Sequence, residues 1–265
     1  MGYKLEPNAG YLMPAHFGPI KRQDVLRYQD VTRLYISYVT DKDALAAVLP
    51  EPFEPADEPV VTVYCHVGRG VDFMAGGGYN IVGINLSAVF NGKKDHVSGL
   101  YAAVLWENDT YPILIGRELL GAPKLYAEIP DPWIEGNDWY FYCAEYGTKL
   151  VEGEVKNATP ADDAFCRQIE EQTRKGRWMC WKYFSKADWR DADLNFFTAV
   201  PSSPTINQAW LGEGSCHFFD TTWEKAPVSA YIMKGLQKLV VKEYKPAIIT
   251  KGSLDLLIAE TKRLE

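Results

Sequence analysis

The pattern of hydrophobic and polar positions predicts strands along most of the chain. Segments rich in β-branched and aromatic residues, several of them alternating in polarity, recur at short intervals, and Gly, Asn, Asp or Pro lies in many of the gaps. The predicted strands are Leu34–Thr40, Val60–Val67, Tyr79–Phe90, Val97–Trp106, Tyr111–Arg117, Trp139–Tyr146, Lys149–Val155, Arg177–Phe184, Leu194–Val200, Ala209–Phe219 and Ser229–Lys242. That density of strands favours a curved or closed antiparallel sheet.

Three helices are predicted, and each begins near a residue that can cap it, namely Thr159, Asp41 and Ser253. Their ranges are Pro160–Gln172, Asp43–Leu49 and Leu254–Leu264. So few helices can cover a sheet but cannot form the fold. The predicted fold class is therefore α+β, mostly antiparallel β, with a curved sheet or a closed β-barrel or cone covered by a few helices. Because no linker interrupts the pattern, residues 1–265 are predicted to form a single domain.

Composition and charge narrow the class of partners. Hydrophobic residues make up 47% of the chain and charged residues 24%, as is typical of a globular protein with a substantial core. The net charge of -7 and the absence of a run of Lys and Arg argue against nucleic acid as a partner. The amino terminus lacks an apolar signal-peptide core, and no later segment is apolar for the length of a membrane span. A cytoplasmic protein with no membrane partner is predicted.

Cysteine and histidine positions predict neither a disulfide framework nor a metal site. The five cysteines are scattered without a CxxC motif. Two pairs, Cys65-His66 and Cys216-His217, look like paired metal ligands, but neighbours in a strand point to opposite faces of the sheet. Each pair could therefore offer only one ligand inward. No metal and no cofactor are expected.

One segment concentrates charged residues among apolar ones. Tyr111 to Glu128 has the sequence YPILIGRELLGAPKLYAE and contains Arg117, Glu118 and Lys124. A lysine attacks a carbonyl carbon only as the neutral amine, and apolar surroundings disfavour the charged ammonium form. The iminium that then forms can accept the electrons of a breaking carbon–carbon bond. Glu118 could serve as acid or base or hold the lysine, and Arg117 could bind a substrate carboxylate or pair with Glu118.

Chemistry alone leaves a second interpretation open, in which Lys124 lies in a solvated turn beside a structural Arg-Glu pair. A family resemblance favours the catalytic interpretation. The segment Gly116-Arg117-Glu118-Leu119, followed by Pro123-Lys124, resembles the active-site signature of the acetoacetate decarboxylase-like superfamily. Other stretches resemble landmarks of that family in the same order: Tyr38–Leu45, Val48–Pro52, Phe90–Gly92, Gln208–Trp210 and Phe218–Asp220.

The resemblance implies the fold described above, a homo-oligomer, and a Schiff base on Lys124 with Glu118 and Arg117 as further catalytic residues. Acetoacetate decarboxylases carry a second lysine directly after the first, whereas this chain has Leu125. A neighbouring cation is therefore missing at that position. Burial therefore has to favour the neutral form of the Lys124 amine instead.

Other pocket positions also depart from the family pattern. Tyr64 and Ile81, the latter beside Asn80, lie where the family has two pocket glutamates, and Val31 lies where it has a substrate-contacting arginine, with Arg33 close by. The pocket is therefore expected to be more apolar than that of acetoacetate decarboxylase. The candidate substrate-binding residues are Tyr64, Tyr79, Asn80 and Arg33.

Three functions are compatible with this pattern. The first is a Schiff-base-forming carbon–carbon lyase that decarboxylates a β-keto acid larger or more apolar than acetoacetate. The second is a pyruvate aldolase-dehydratase that uses the same lysine, as some relatives in the superfamily do. The third is a small-molecule binding protein that has kept the fold without the chemistry. The expected partner is a keto acid or ketone of low molecular weight.

Overall fold

The computed structural model describes residues 2–21 and 23–265, and all strands of this part of the chain belong to one sheet. The strands, numbered in chain order, are β1 Leu26–Val39, β2 Phe53–Pro55, β3 Val60–Val71, β4 Gly77–Asn91, β5 His96–Glu107, β6 Lys124–Tyr126, β7 Trp133–Glu135, β8 Asp138–Glu145, β9 Thr148–Pro160, β10 Trp178–Ser185, β11 Ala192–Val200, β12 Ser202–Phe218, β13 Glu243–Tyr244, β14 Ala247–Leu256 and β15 Lys262–Leu264.

The sheet is open. Its main path runs β15-β11-β10-β5-β4-β3-β1-β14-β12-β9-β8-β7, and β13, β2 and β6 pair with β1, β4 and β5 beside that path. Pairing is antiparallel except between β5 and β6 and between β5 and β10. Since β15 and β7 each end the path, the described residues form an open sheet and not a closed barrel. The predicted class, mostly antiparallel β with few helices, is confirmed.

The helices of the described residues are short and lie at connections between strands. They are α1 Lys42–Ala46, α2 Thr110–Ile115, α3 Asp163–Lys175 and α4 Ala230–Leu236, with a π-helical turn at Gly116–Leu120 and single 3-10 turns at Ala15–Phe17, Asp72–Met74 and Ile258–Glu260. The structure confirms α1 and α3. The α3 helix begins later than predicted because Asp162, and not Thr159, caps it by accepting a hydrogen bond from the Phe165 amide (2.8 Å). Within the described ranges, none of these helices has the length and apolarity of a membrane span.

The segment Tyr111–Arg117, predicted as a strand, is helical. It lies in α2 and in the π-helical turn that follows. Asp109 caps α2 by accepting a hydrogen bond from the Tyr111 amide (2.9 Å), and Pro112 lies in the first turn, where its missing N–H costs no helical hydrogen bond. The strand prediction is wrong because these start signals outweigh the aliphatic composition of the segment.

Two further predictions are wrong in opposite directions, since a predicted strand contains a helix and a predicted helix contains strands. Within Ser229–Lys242, predicted as a strand, α4 buries Ala230, Met233 and Leu236, whose spacing of three places them on one helix face. The segment Leu254–Leu264, predicted as a helix, instead completes β14, passes through a 3-10 turn and enters β15. Here β14 pairs with β1 on one side and β12 on the other, so the two ladders override a helical spacing of apolar residues.

Alternate residues of the central strands face two different apolar regions. One face packs into the main core, which includes Leu34, Ile36, Ile84, Trp106 and Phe141. The other face carries a second cluster, which includes Tyr28, Tyr64, Tyr79, Leu105 and Cys180. The second face is the one that the candidate site occupies.

Candidate active site

A tight turn carries Lys124 to the second face of the sheet. Gly121 has a φ of +77°, which disfavours a side chain, and a Cβ there would lie 2.5 Å from the Lys182 Cα. This glycine ends the π-helical turn Gly116–Leu120 and reverses the chain. The β6 strand then runs parallel to β5, with Lys124 opposite Leu105.

Three side chains hold this turn against the sheet. Lys182 Nζ and Thr198 Oγ1 donate hydrogen bonds of 3.1 and 2.6 Å to the last two carbonyls of the π-helical turn. Carbonyls at a helix end lack partners within the helix, so these two bonds satisfy groups that would otherwise be unpaired. Arg117 donates through Nη1 to the Lys124 carbonyl (2.9 Å). The backbone that carries the lysine is therefore fixed on both sides of the reversal.

The Lys124 amine is almost completely enclosed, since the residue is only 8% exposed. Its Nζ lies 2.8 Å from Glu107 Oε1 and donates a hydrogen bond to the Pro112 carbonyl (3.1 Å). The centroid of the Tyr79 ring is 5.7 Å from Nζ, within the range of a cation–π contact. Gly116 packs against the lysine chain, because a Cβ at that position would lie 2.5 Å from its Cδ and Cε.

Glu107, the last residue of β5, contacts the amine and is not among the site residues predicted from the sequence. It is 0% exposed, and in the described part of the chain neither of its carboxylate oxygens has a hydrogen-bond partner, so that the contact of Oε1 with Lys124 Nζ is an ion pair. Burial raises the pKa of this carboxyl, the positive charge of Lys124 opposes that shift, and the negative charge of Asp109 adds to it. A carboxylate directly after the apolar strand predicted over Val97–Trp106 is the signal in the sequence that could have identified it.

A cavity of about 470 Å³ adjoins the amine. Its walls come from β1, β3, β4, β5, β14 and α3, and most of the side chains between the lysine and α3 are apolar. They include Leu100, Leu105, Leu120, Trp178, Leu254 and Leu256. Sites for drug-sized ligands occupy about 300 to 1,000 Å³, so this cavity has room for a molecule considerably larger than acetoacetate.

Arg33 lines the cavity in a fixed orientation. Its Nε donates to His66 Nδ1 (2.8 Å) and its Nη1 donates to the Tyr35 hydroxyl (3.1 Å). Because a guanidinium only donates, His66 Nδ1 accepts and the ring proton is on Nε2. Burial lowers the pKa of His66 well below its usual value, and the positive charges of Arg33, Lys124 and Arg69 lower it further. His66 is thus a neutral support for Arg33, whose remaining N–H groups can bind a carboxylate.

Three buried tyrosines surround the lysine on the same face. The hydroxyl oxygens of Tyr28 and Tyr79 are 2.7 Å apart, and Tyr64 lines the cavity with them. Burial raises the pKa of all three hydroxyls, and the negative charge of Glu107 raises each of them further. They are therefore neutral groups that can both donate and accept hydrogen bonds.

The structure brings one part of the predicted site together and leaves another part outside. The predicted residues that line the cavity are Lys124, Arg33, Tyr64 and Tyr79. Arg117, Glu118 and Asn80 are not among the residues that line it. Arg117 is exposed and binds backbone, and Glu118 acts electrostatically on Lys182. The Asn80 side chain, opposite in direction to that of Tyr79, donates to Asp131 Oδ1 (2.8 Å) and so belongs to a structural network.

The two residues of each Cys-His pair differ in burial, as expected because neighbours in a strand point to opposite faces of the sheet. Cys65 is buried in the main core, while His66 lines the cavity. Cys216 is half-buried and His217 is exposed. In residues 2–21 and 23–265, no group of three or more His, Cys, Asp and Glu side chains is arranged to hold a metal ion.

A buried lysine in contact with a carboxylate, at the wall of a largely apolar cavity, is an arrangement that can carry out amine chemistry on a carbonyl compound. Comparison with known proteins agrees with this class. The chain belongs to the acetoacetate decarboxylase family, whose model, Acetoacetate decarboxylase (ADC), matches residues 12–260. Family membership indicates an enzyme of the lyase class.

The similarity to known proteins extends over most of the chain. An acetoacetate decarboxylase of Clostridium acetobutylicum is 28% identical over 217 residues, which cover 78% of this chain and 77% of the relative. A solved acetoacetate decarboxylase has a TM-score of 0.77 at 20% identity, over 96% of this chain and 95% of its own. The enduracididine biosynthesis enzyme MppR, solved in complex with pyruvate, has a TM-score of 0.70 at 16% identity, over 100% of this chain and 98% of its own. At these identities the two structural matches establish the fold.

Proposed function

We propose that this enzyme decarboxylates β-keto acids larger or more apolar than acetoacetate, through a Schiff base on Lys124. The observation that carries the proposal is the position of the amine. It is buried, it contacts Glu107 at 2.8 Å, and it adjoins a cavity of about 470 Å³. Membership of the acetoacetate decarboxylase family supports the same reaction type.

The chemistry follows from the amine. The neutral nitrogen attacks the ketone carbon of the substrate, and loss of water gives an iminium. The bond between the α-carbon and the carboxylate then breaks, and its electron pair moves toward the positive nitrogen. CO2 leaves and an enamine remains. The enamine takes up a proton at the α-carbon, and water hydrolyses the resulting iminium to release the ketone and the free amine.

Arg33 is the group proposed to hold the substrate carboxylate before CO2 leaves. His66 and Tyr35 each accept one of its hydrogen bonds, which leaves other donors of the guanidinium for a ligand. A guanidinium held in this way recognises a carboxylate with little further loss of side-chain freedom. Tyr64 and Tyr79, neutral and adjacent, can hydrogen-bond the oxygen of the ketone.

The walls of the cavity favour a substrate with an extended or aromatic acyl group. Burial of one methylene against apolar side chains such as Leu100, Leu254 and Leu256 contributes about 0.8 kcal/mol, or roughly a fourfold gain in affinity. A keto acid with several such groups should therefore be used at much lower concentration than acetoacetate.

A second use of the same lysine is condensation of pyruvate with an aldehyde, followed by loss of water. The iminium of pyruvate becomes a nucleophilic enamine by losing a proton instead of CO2. The observation in favour is structural similarity over the whole chain to MppR, which has been solved with pyruvate and with the condensation product of pyruvate and imidazole 4-carboxaldehyde. In this chain the aldehyde would occupy the apolar part of the cavity.

The proposal is tested by trapping the Schiff base with borohydride. Purified enzyme is incubated with acetoacetate and with β-keto acids of increasing acyl length or with an aryl group, reduced, and read by peptide mass spectrometry, while CO2 release is followed in parallel. We expect an adduct on Lys124, CO2 release, and a KM that falls by about fourfold per added methylene until the cavity is full.

Lys124→Arg is the matched control, because it keeps a positive charge beside Glu107 but cannot form an imine. It should give neither adduct nor CO2. An adduct with pyruvate plus an aldehyde, together with an ultraviolet-absorbing unsaturated product and no CO2 from any β-keto acid, would favour the aldolase-dehydratase. Absence of an adduct with every keto acid would contradict both reactions and favour a binding protein.

A further inference from the structure

We propose that Glu107 is a catalytic acid and base that moves a proton between the Lys124 amine and the oxygen atom that leaves the substrate as water. This inference rests on the proposed Schiff-base function. It assigns a catalytic role to a residue that lies outside the signature segment. Neither Glu118, the signature glutamate, nor Glu107 is among the residues that line the cavity, but the Glu107 carboxylate lies 2.8 Å from the reacting nitrogen, whereas Glu118 interacts with Lys182.

The contacts of the amine single out Glu107. Two oxygens lie within hydrogen-bonding distance of Lys124 Nζ in the described part of the chain, Glu107 Oε1 at 2.8 Å and the Pro112 carbonyl at 3.1 Å. A backbone carbonyl can accept a hydrogen bond but cannot take the proton at neutral pH. A carboxylate can take it, and at 2.8 Å the transfer needs no water between the two groups.

The surroundings of Glu107 reduce the difference in proton affinity between the carboxylate and the amine. Burial raises the pKa of the carboxyl and Lys124 opposes the shift. The other groups that interact with it are Asp109, which raises its pKa further, and the neutral hydroxyls of Tyr28, Tyr64 and Tyr79. A carboxylate in water would be a poor base for an ammonium group, but this one is buried and has Lys124 beside it.

Glu107 takes part in two proton transfers during imine formation. First, the Glu107 carboxylate takes one proton from the Lys124 ammonium, so that the neutral nitrogen can attack the ketone carbon. A second nitrogen proton moves to the former ketone oxygen and gives the carbinolamine. Glu107 then returns its proton to that hydroxyl, which leaves as water while the nitrogen lone pair forms the C=N bond. The products are one iminium, one water and the original carboxylate, now paired with the iminium charge.

The sheet explains how a carboxylate comes to be at this place. Ile81 of β4 and Glu107 of β5 are register partners in the antiparallel ladder, so their side chains lie on the same face, about 4.5 to 5.5 Å apart at Cβ. Ile81 lines the cavity. A carboxylate at either of these positions would face the lysine, and in this chain β5 supplies it.

The experiment compares two reactions of the same amine in wild type and in Glu107→Gln. Acylation of Lys124 by acetic anhydride needs only the neutral amine, whereas borohydride trapping with a keto acid also requires water to be expelled. We expect Glu107→Gln to slow trapping about 100-fold or more, the usual size of a general acid–base contribution. Acylation should be at least as fast as in wild type, because the negative charge that favours the ammonium form has been removed.

Glu145→Gln is the matched control. Glu145 is also a buried glutamate, its Oε1 accepts a hydrogen bond from the Val228 amide (2.9 Å), and neither residue is among those that line the cavity or contact Lys124 Nζ. Both rates should stay within twofold of wild type in that variant. Glu107→Asp, which keeps an acid–base group, should retain more trapping activity than Glu107→Gln. The exchange variant Ile81→Glu with Glu107→Ile should trap faster than Glu107→Ile alone.

The possible outcomes distinguish a failure of the proposed role of Glu107 from a failure of the proposed Schiff-base function. Equal trapping rates in wild type and Glu107→Gln would overturn the role of Glu107 and leave the Schiff base intact. An equal loss of trapping and acylation would show that Glu107 only holds the lysine in place, which also overturns the role proposed here. If Glu107→Gln does not fold, Glu107→Asp and the exchange variant decide, because each keeps a carboxylate beside the amine, and trapping that is about 100-fold slower than in wild type in both of them would overturn the role of Glu107. No adduct in the wild type would overturn the proposed function itself.

Discussion

At the scale of single residues, the Lys124 amine is held by a carboxylate, a carbonyl and an aromatic ring, and Gly116 leaves just enough room for its chain. Gly116 has a φ of -64° and a ψ of -42°, which any residue can adopt, so only the available space requires glycine there. A Cβ would lie 2.5 Å from the lysine Cδ and Cε and 2.8 Å from Nζ. The lysine would have to move, and its contact with Glu107 would be lost.

We therefore expect Gly116→Ala to slow borohydride trapping by about 100-fold, the order of effect that a misplacement of about 1 Å produces. The unfolding free energy should fall by about 1 to 3 kcal/mol, as for an overpacked site. Trapping rates and chemical denaturation check the two effects separately.

Gly235→Ala in α4 is the control for this prediction, because a Cβ at that position would meet no atom within 4 Å. It should leave trapping unchanged and raise the unfolding free energy by about 0.5 to 1 kcal/mol, the usual gain from replacing a helical glycine. A wild-type trapping rate in Gly116→Ala would show that the amine tolerates displacement.

At the scale of elements, the direction of β6 decides which residues of the signature reach the cavity. Lys124 lies opposite Leu105 and faces the cavity, whereas Leu125 lies opposite Trp106 and packs against the main core. A cation at position 125 would therefore lie on the far side of the sheet from the amine. The geometry bears only on position 125, and the activation of Lys124 by burial stays a prediction.

Leu125→Lys should accordingly leave the trapping rate within about twofold of wild type. It should lower the unfolding free energy by about 1 to 3 kcal/mol, because a charged group replaces an apolar side chain that is half-buried against the core. Leu125→Met, which conserves volume, should cost less than about 1.5 kcal/mol. A large rise in trapping rate in Leu125→Lys would show that a charge at this position does reach the amine.

The strands were largely predictable from the sequence, because β1, β3, β4 and β5 are rich in β-branched and aromatic residues. One failure occurs where a local signal conflicts with neighbours in space. Residues Leu254–Leu256, which begin the predicted helix Leu254–Leu264, pair with both β1 and β12, and no sequence pattern predicts both ladders. Glu107 was missed for a related reason. Its carboxylate contacts the lysine only because β6 returns beside β5 and places Lys124 against it.

At the scale of the whole molecule, the buried charges of the site link stability to pH. His66 is 2% exposed, and burial together with Arg33, Lys124 and Arg69 lowers its pKa well below 6.5. In the unfolded chain it takes up a proton near pH 6.5. The unfolded state therefore binds more protons just below that pH. The contribution of His66 to stability is full above pH 6.5 and is lost as the pH falls toward the lower folded value.

We expect the unfolding free energy to fall below about pH 6.5, with His66 contributing up to about 1.4 kcal/mol per pH unit. His66→Gln, whose amide oxygen can still accept the hydrogen bond from Arg33, should lack this component, while the exposed His217→Gln should behave as wild type. Glu107 acts in the opposite direction, since its raised pKa means that protonation on acidification favours the folded state. It is present in all three proteins, so the difference between their denaturation curves isolates His66. Identical pH dependence in wild type and His66→Gln would show that the pKa of His66 is the same in the folded and unfolded states, which would contradict the prediction.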